Sequence, residues 1–212
     1  AKKPIFYIGG GCINSGPKAS ELVSQFVEIT GAPATMTLMG LGVIGSSHPN
    51  SLGMLGMHGM YEANMAMHEC DVMVNIGARF DDRVTGRLDA FSPNSKKIHI
   101  DIDESNINKT IKVDVPVVGD VTMVLTKIIQ TWKNKKLKTN ASDLKLWWDK
   151  INNWKKIDCL NFSNDKKEIK PQYAIKRLYE LTKDKKTFIT TEVGQHQMWA
   201  AQFYKFEKPN RW

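Results

Sequence analysis

The sequence predicts an α/β protein built around a parallel sheet with crossover helices. Short β-branched runs alternate with amphipathic or turn-rich stretches over the first two thirds of the chain, which is the pattern of parallel strands joined by helices. Several of these runs end directly in glycine or in charged residues. The 212 residues suffice for one complete domain and a smaller second piece.

Strands in the first part of the chain are predicted from apolar, mostly β-branched runs bounded by turn residues. They cover residues 5–9, 34–38, 72–76, 97–102 and 115–118. Helices are predicted where apolar residues recur every three or four positions. They cover residues 17–30, 60–69 and 121–132. Residues 39–59 are rich in glycine and methionine, and we expect a functional loop there, as for most long loops inside a compact domain.

The sheet pattern stops near residue 134, which divides the chain into three. The predicted regions are a Rossmann-like sheet domain over residues 1–134, a helical linker rich in lysine and tryptophan over residues 135–170, and the start of a second α/β domain over residues 171–212. Residues 134–142 are expected to be irregular, and residues 144–160 and 171–181 helical. A strand is expected over residues 187–191. Because it has few partners left to pair with, we expect the second domain to be truncated.

The net charge of +8 raises the question of a nucleic-acid partner. Residues 127–186 carry 17 Lys and Arg against 7 Asp and Glu, so the surplus belongs to one segment. This segment mixes lysine with tryptophan at helical spacing and contains no helix-turn-helix, zinc-finger or RNA-binding signature. We therefore interpret the charge as a solvated helical face and expect no nucleic-acid partner.

Composition also argues against several other classes of protein. No uninterrupted stretch of about 18 apolar residues is present, so we expect no membrane segment. Cys12, Cys70 and Cys159 are odd in number and widely spaced, which favours buried thiols over a disulfide framework or a zinc knuckle. An apolar strand follows the first residues directly, without the longer apolar region of a signal peptide. We therefore expect a cytoplasmic location.

Ligands of open parallel sheets bind beyond the carboxyl ends of the strands, so the residues that follow each strand are the candidates for a site. Gly9, Gly10 and Gly11 end the first strand, and glycine without a Cβ lets the backbone approach a nucleotide closely. The pattern departs from the dinucleotide fingerprint, because its third glycine position falls on Asn14. A plain tight turn explains these glycines equally well.

A second candidate is the glycine-punctuated stretch over residues 54–59, which leads into the helix at Met60. Unpaired amides at a helix start, together with the helix dipole, suit an anion or a flavin carbonyl. His58 is either a ligand and acid-base group or a hydrogen-bonded structural residue. The methionines of the stretch either fill the core or form a soft surface beneath a flat ring system.

Charged residues follow two further strands. After the strand over residues 72–76 the charged residues are Arg79, Asp81, Asp82 and Arg83. Charges at a strand end need mutual pairing or an external anion, and we favour a phosphate-bearing or acidic ligand over an internal salt-bridge cluster. Asp101 and Asp103 either accept hydrogen bonds from a ribose or cap the following turn. The residues alone thus predict a nucleotide-binding α/β protein, with the kind of nucleotide open.

Longer motifs add a family resemblance. The strings MLGMHG, GARFDDRVTG, IHIDID with NINK, GDV and VGQHQMWAAQ occur here in the order seen in acetohydroxyacid synthases, also called acetolactate synthases. The chain resembles the central FAD domain of that family's large subunit and the opening of its C-terminal thiamine diphosphate domain. The resemblance implies an enzyme of branched-chain amino acid synthesis, which decarboxylates pyruvate and joins the two-carbon unit to pyruvate or 2-oxobutyrate.

The resemblance also implies ligand contacts. Those to FAD are Gly9, Gly10, Gly11, Thr37, Leu38, Met57, His58, Gly59, Gly77, Ala78, Arg79, Asp81, Arg83, Asp101, Ile102, Asn106, Asp120 and Val121. Those to thiamine diphosphate are Gly194, Gln195 and His196, and those near the substrate channel are Met57, Asp82 and Arg83. Family members often have glutamate where Asp101 stands, so the carboxylate here is one methylene shorter.

By this resemblance the rest of the active site lies outside the chain. The family's thiamine-activating glutamate belongs to an N-terminal domain, and its Mg²⁺ ligands follow a Gly-Asp-Gly motif that would lie beyond Trp212. We therefore expect no catalytic residue, no metal ligand and no carboligase activity in this chain alone. The implied partners are small 2-keto acids, the remaining domains of the same chain, a second or further copies in a homodimer or homotetramer, and a regulatory subunit.

Three alternatives stay open. Pyruvate oxidase and glyoxylate carboligase share the fold and both cofactors, but they are not expected to combine GARFDDRVTG with VGQHQMWAAQ. An NAD-dependent deacylase has a similar sheet but should carry two Cys-x-x-Cys zinc motifs, which three scattered cysteines cannot supply. A nucleotide-binding module without catalysis is the third.

Overall fold

A computed structural model describes residues 1–164 and 167–212 of the chain. Its sheet consists of β1 (Pro4–Ile8), β2 (Ala34–Met36), β3 (Ser51–Met54), β4 (Val72–Ile76), β5 (Lys96–Asp101) and β6 (Val115–Val118). The strand order is β3-β2-β1-β4-β5-β6, and every pairing is parallel. This is the order of doubly wound dinucleotide-binding sheets, in which the chain reverses direction across the sheet between β1 and β4. The predicted α/β parallel-sheet fold is therefore confirmed.

Helices cover both faces of the sheet. They are α1 (Gly11–Asn14), α2 (Pro17–Thr30), α3 (Tyr61–Glu69), α4 (Asp82–Thr85), α5 (Val121–Asn134), α6 (Ala141–Lys155), α7 (Pro171–Thr182) and α8 (Gln195–Phe203). Alternate residues of β1 point to opposite faces. Phe6 and Ile8 pack in a core with α2 and α5, whereas Ile5 and Tyr7 pack in a second core with α3 and α6.

The predicted elements agree with the structure where apolar periodicity is strong. The predicted strands over residues 5–9, 72–76, 97–102 and 115–118 lie within one residue of β1, β4, β5 and β6. The boundaries of α2 also have clear causes. Pro17 occupies its first turn, where no amide partner is needed, and Gly31 ends it with a left-handed φ of 67°.

The prediction of one long loop over residues 39–59 was wrong, because this passage contains the edge strand β3. The strand sequence Ser-Leu-Gly-Met has little intrinsic preference for strand, and its pairing with β2 supplies the order. The Thr35 hydroxyl donates a hydrogen bond of 2.9 Å to the Gly53 carbonyl. The predicted strand over residues 34–38 ends early for a related reason, since Thr37 caps the 3-10 turn Leu38–Gly40.

One prediction in the last third was wrong, and another had shifted boundaries. Residues 187–191 form no strand, and in this described segment the Ile189 amide donates to the Arg211 carbonyl at 2.8 Å. One bond of this kind does not make a ladder. The helix predicted over residues 144–160 is present as α6, but it covers Ala141–Lys155. It starts earlier because the Asn140 side chain accepts hydrogen bonds from the amides of Ser142 and Asp143.

Helix α6 packs onto the sheet domain. Trp147 and Ile151 are buried in the core on the α3 side. The Trp147 indole donates to the Pro4 carbonyl at 3.0 Å, and the Trp148 indole donates to the Gly31 carbonyl at 2.9 Å. Lys155 lies over the Trp148 ring at 5.5 Å, so part of the basic segment covers the outside of this layer.

The cysteines divide into two kinds. Cys12 and Cys70 are buried, as expected, but Cys159 is exposed, because it follows the end of α6 rather than lying within a packed element. In the part of the chain that the structure describes, no three His, Cys, Asp or Glu side chains come together as a metal site. Each helix there is too short or too polar to span a bilayer.

Candidate functional site

A cleft of about 610 Å³ lies at the carboxyl ends of five neighbouring strands, β2, β1, β4, β5 and β6. Its lining consists of Tyr7, Gly9, Gly10, Gly11, Asn14, Ser15, Thr37, Leu38, Met39, Gly77, Ala78, Arg79, Asp81, Arg83, Val84, Asp101, Ile102, Asp103, Asn106, Asp120 and Val121. Four strand spacings correspond to about 19 Å. The cleft is therefore long and suits an elongated ligand.

Two glycine turns meet at the centre of the cleft. The Gly9 amide donates to the Ile76 carbonyl at 2.9 Å, and the Gly11 amide donates to the Gly77 carbonyl at 3.0 Å. A Cβ on Gly9 would lie 2.1 Å from the Gly77 carbonyl oxygen. Gly9 is thus required by the contact between the two turns, whatever the cleft binds.

The short helix α1 explains the departure from the dinucleotide fingerprint. In that fingerprint the third glycine allows the first long helix to pack closely against the strand. Here α1 comes between β1 and α2, and Asn14 is its last residue. Gly16, with a φ of 94°, then turns the chain into α2. The position of Asn14 does not need glycine, because a different element occupies it.

Buried polar side chains of β4 and β5 hold the turn after β4 in place. The Asn75 side chain donates to the Ala78 carbonyl at 2.7 Å, and its oxygen accepts from the Ala78 amide at 3.1 Å. The same carbonyl lies 2.9 Å from Nε2 of His99 on β5. Because a carbonyl only accepts, His99 carries a proton on Nε2. Burial lowers the pKa of His99, which favours the neutral ring.

Phe80 anchors this turn in the core. Its φ of 56° is in the left-handed region, which is rare for a bulky residue, and its ring is buried. The ring packs against Tyr7, Phe91 and His99 with centroid distances of 5.6, 6.0 and 5.1 Å. With Phe80 pointing inward, its neighbour Arg79 points into the cleft, where 72% of its side chain is exposed.

The charged cluster after β4 combines both interpretations of the sequence. Arg79 and Asp81 form an ion pair of 2.5 Å, so internal pairing exists. Hydrogen bonding from the Arg83 amide, with a further bond from the Arg79 guanidinium, lowers the pKa of Asp81. The exposed guanidinium of Arg79 nevertheless stays available to an anion, because guanidinium groups hold five donors.

Carboxylates form the β5 and β6 end of the cleft. Asp101 is buried, and its Oδ1 accepts from the Asp103 amide at 2.9 Å while its Oδ2 lies 3.6 Å from His99 Nε2. Asp103 caps the next turn by accepting from the Ser105 amide at 2.9 Å, and hydrogen bonds from the Ser105 hydroxyl and amide lower its pKa. Asp120 caps α5 by accepting from the Met123 amide at 3.2 Å. The capping interpretation therefore holds for Asp103.

The remaining predicted residues lie beside the cleft. Met57, His58, Gly194 and Gln195 line a separate crevice of about 400 Å³, which shares Leu38, Arg83 and Val84 with the cleft. The His58 carbonyl accepts from the Gln202 side chain at 2.8 Å. Gly59 packs against the Leu55 backbone, and the His196 ring lies against Gly194. Asp82 lines a further groove together with Met57 and Arg83.

Sequence reasoning missed several residues that line the cleft. Tyr7, Ser15, Met39 and Val84 line the cleft, and nothing in their spacing distinguishes them from packing residues. The role of Asn75 could have been predicted, because a side-chain amide inside the apolar run of β4 must find buried hydrogen-bond partners.

Comparison with known proteins shows the family of this chain. The sequence model of the family described as "Thiamine pyrophosphate enzyme, central domain" matches residues 1–128. The chain is 48% identical to an acetolactate synthase large subunit of Buchnera aphidicola subsp. Schizaphis graminum, and 43% identical to the acetolactate synthase isozyme 3 large subunit of Escherichia coli. All of this chain and 36% of each relative are aligned. A chloroplastic acetolactate synthase of Arabidopsis thaliana is 48% identical over 31% of its length.

Proposed function

Because the chain belongs to the thiamine pyrophosphate enzyme central-domain family, we propose that its cleft binds FAD as part of an acetolactate synthase large subunit. The position of the expected FAD contacts supports this proposal. The residues expected to contact FAD line one continuous cleft, apart from Met57, His58 and Gly59. The chain spans 36% of the length of the two bacterial relatives described above. The enzyme activity is therefore proposed for a longer protein.

The chemistry of the cleft fits a flavin dinucleotide. Its length of about 19 Å over five strands matches an extended ligand. Arg79 and Arg83 supply cations near the middle, where a pyrophosphate would need them. At one end, Asp101 and Asp120 offer acceptors for ribose hydroxyls. At the other end, Leu38 and Val84 supply apolar surface for a ring system.

The adjacent crevice is the proposed meeting point of flavin, thiamine diphosphate and substrate. Gly194 and Gln195 line it opposite Met57 and His58, and His196 supports the turn at Gly194. Thiamine diphosphate with Mg²⁺, held mainly by the rest of the longer protein, would supply the chemistry of decarboxylation and carbon–carbon bond formation. Residues of this chain would position the ligands, with Arg83 as the cation near the carboxylate of a 2-keto acid.

The proposed assembly extends beyond this chain. We infer pyruvate and 2-oxobutyrate as substrates, a homodimer or homotetramer as the active form, and a regulatory subunit as a further partner. A cytoplasmic location stays a prediction. The 212-residue chain supplied with pyruvate and cofactors is expected to release no carbon dioxide, since the activating glutamate and the Mg²⁺ ligands are expected elsewhere in the protein.

Titration of the chain with FAD tests the proposal. Flavin fluorescence should change in a saturable manner at one FAD per chain, because the ring would move from water to the apolar end of the cleft. NAD at the same concentrations should not displace FAD. Absence of saturable FAD binding, or displacement of FAD by NAD, would contradict the assignment of a flavin site.

A further inference from the structure

The cleft contains a buried hydroxyl group without a partner. Tyr7 lies on β1, at the centre of the sheet, and its side chain is fully buried. Tyr7 lines the cleft, yet its hydroxyl makes no hydrogen bond within the part of the chain that the structure describes. A buried hydroxyl without a partner destabilises the folded protein. Such a group calls for a specific explanation.

The charged groups around the phenol belong to the ligand site. Burial raises the pKa of Tyr7, Asp81 raises it further, and Arg79 opposes them. Asp81 and Arg79 both line the cleft. The phenol is therefore neutral and offers one O–H donor to an acceptor oxygen.

We propose that the Tyr7 hydroxyl is a ligand-positioning group, which donates a hydrogen bond to an oxygen of the dinucleotide bound in the cleft. The inference rests on the proposed function, since it needs a ligand with acceptor oxygens beside Arg79 and Asp81. Tyr7 lies outside the family motifs quoted above, so this contact is additional to the FAD contacts that they imply. Tyr7 lies two residues before the glycine turn, in the strand itself, where a side chain is ordinarily assigned to packing.

Contact with the ligand requires a local rearrangement, because the hydroxyl is covered in the free protein. Arg79 is suited to this movement. Its side chain is largely exposed and is paired with Asp81 two residues away, and exposed ion pairs contribute little stability. The proposed bound state has the guanidinium drawn away from Asp81 by a ligand phosphate and the phenol uncovered.

The substitution Tyr7→Phe tests this inference, because it should stabilise the free protein and weaken FAD binding. It removes the hydroxyl and leaves the ring that packs against Phe80. Without ligand, the melting temperature should rise by about 2–4 °C, because an unsatisfied buried group is lost. The Kd for FAD should rise about tenfold, because one hydrogen bond to the ligand is lost. Tyr173→Phe, at an exposed tyrosine of α7, is the matched control and should change neither quantity.

The outcomes separate this inference from the proposed function. A lower melting temperature of Tyr7→Phe without ligand means that the hydroxyl has a partner, such as a buried water, in the free protein, and overturns the inference. An FAD Kd within twofold of that of the unsubstituted chain overturns it as well. If the unsubstituted chain does not bind FAD, the proposed function fails and this inference fails with it.

Discussion

Asn75 holds Ala78 by two hydrogen bonds, one to its carbonyl and one from its amide. Asn64 holds Gly56 in the same way, with bonds of 2.9 and 2.8 Å. The two clamps differ in burial, because Asn75 is fully buried whereas Asn64 is exposed. They form a matched pair for measuring what a buried clamp contributes to the turn that carries Arg79.

Asn75→Ala should lower the free energy of unfolding more than Asn64→Ala. Asn75→Ala is expected to lower the free energy of unfolding by about 2 to 4 kcal/mol, because it leaves the Ala78 amide buried without a partner and creates a cavity. Asn64→Ala should cost about 1 kcal/mol, since removal of this exposed side chain lets water reach the buried Gly56 backbone groups. Urea unfolding measures both. Equal costs would show that the buried clamp has no special role.

A side chain at Gly9 should separate the two central turns. Gly9→Ala places a Cβ 2.1 Å from the Gly77 carbonyl oxygen, so the backbone must shift. We expect a loss of about 3 kcal/mol or more in the free energy of unfolding, together with loss of FAD binding. Gly119→Ala is the control, because its Cβ would meet only the Val124 side chain, at 3.0 Å. A Gly9→Ala chain as stable as the control would refute the close contact of the turns.

His99 should make stability depend on pH in a defined direction. Its pKa is lowered in the folded chain by burial, whereas the unfolded chain has an ordinary value near 6.5. The unfolded state therefore binds more protons below that value, and stability is lost as the pH falls from about 7 toward the folded pKa. His99→Gln keeps a donor for the Ala78 carbonyl and removes the titration.

The measurement for His99 is the melting temperature of both chains between pH 8 and pH 5. The unsubstituted chain should lose more stability than His99→Gln over this interval. Comparison of the two chains removes the contributions of the other histidines, which they share. Parallel curves would mean that His99 does not titrate as its burial predicts.

We propose that the sheet domain continues through α6, and Trp147 tests this boundary. Trp147→Ala should lower the free energy of unfolding by about 3 to 5 kcal/mol, because a buried indole and its bond to the Pro4 carbonyl are lost. Leu146→Ala, at a residue 68% exposed on the same helix, should change it by about 0.5 kcal/mol or less. Similar values for the two variants would mean that α6 is a loosely attached linker.

The sequence predicted the sheet where apolar runs were strong and the cleft where glycine or charge follows such runs. It could not predict β3, since Ser51–Met54 becomes a strand only through pairing with β2. It placed a strand at residues 187–191 because β-branched residues occur there, but the described chain supplies no ladder for it. Tyr7 was hidden for another reason. Periodicity assigns it to the core, and only the surrounding structure shows that its hydroxyl lacks a partner.

The structure of the chain crystallised with FAD tests the central claim most directly. We predict one FAD along the carboxyl ends of β2, β1, β4, β5 and β6. Its ring system should lie near Leu38 and Val84, its pyrophosphate near Arg79, and its adenosine near Asp101 and Asp120. An FAD molecule bound elsewhere on the chain, or a cleft that stays free of FAD at saturating concentration, would contradict it.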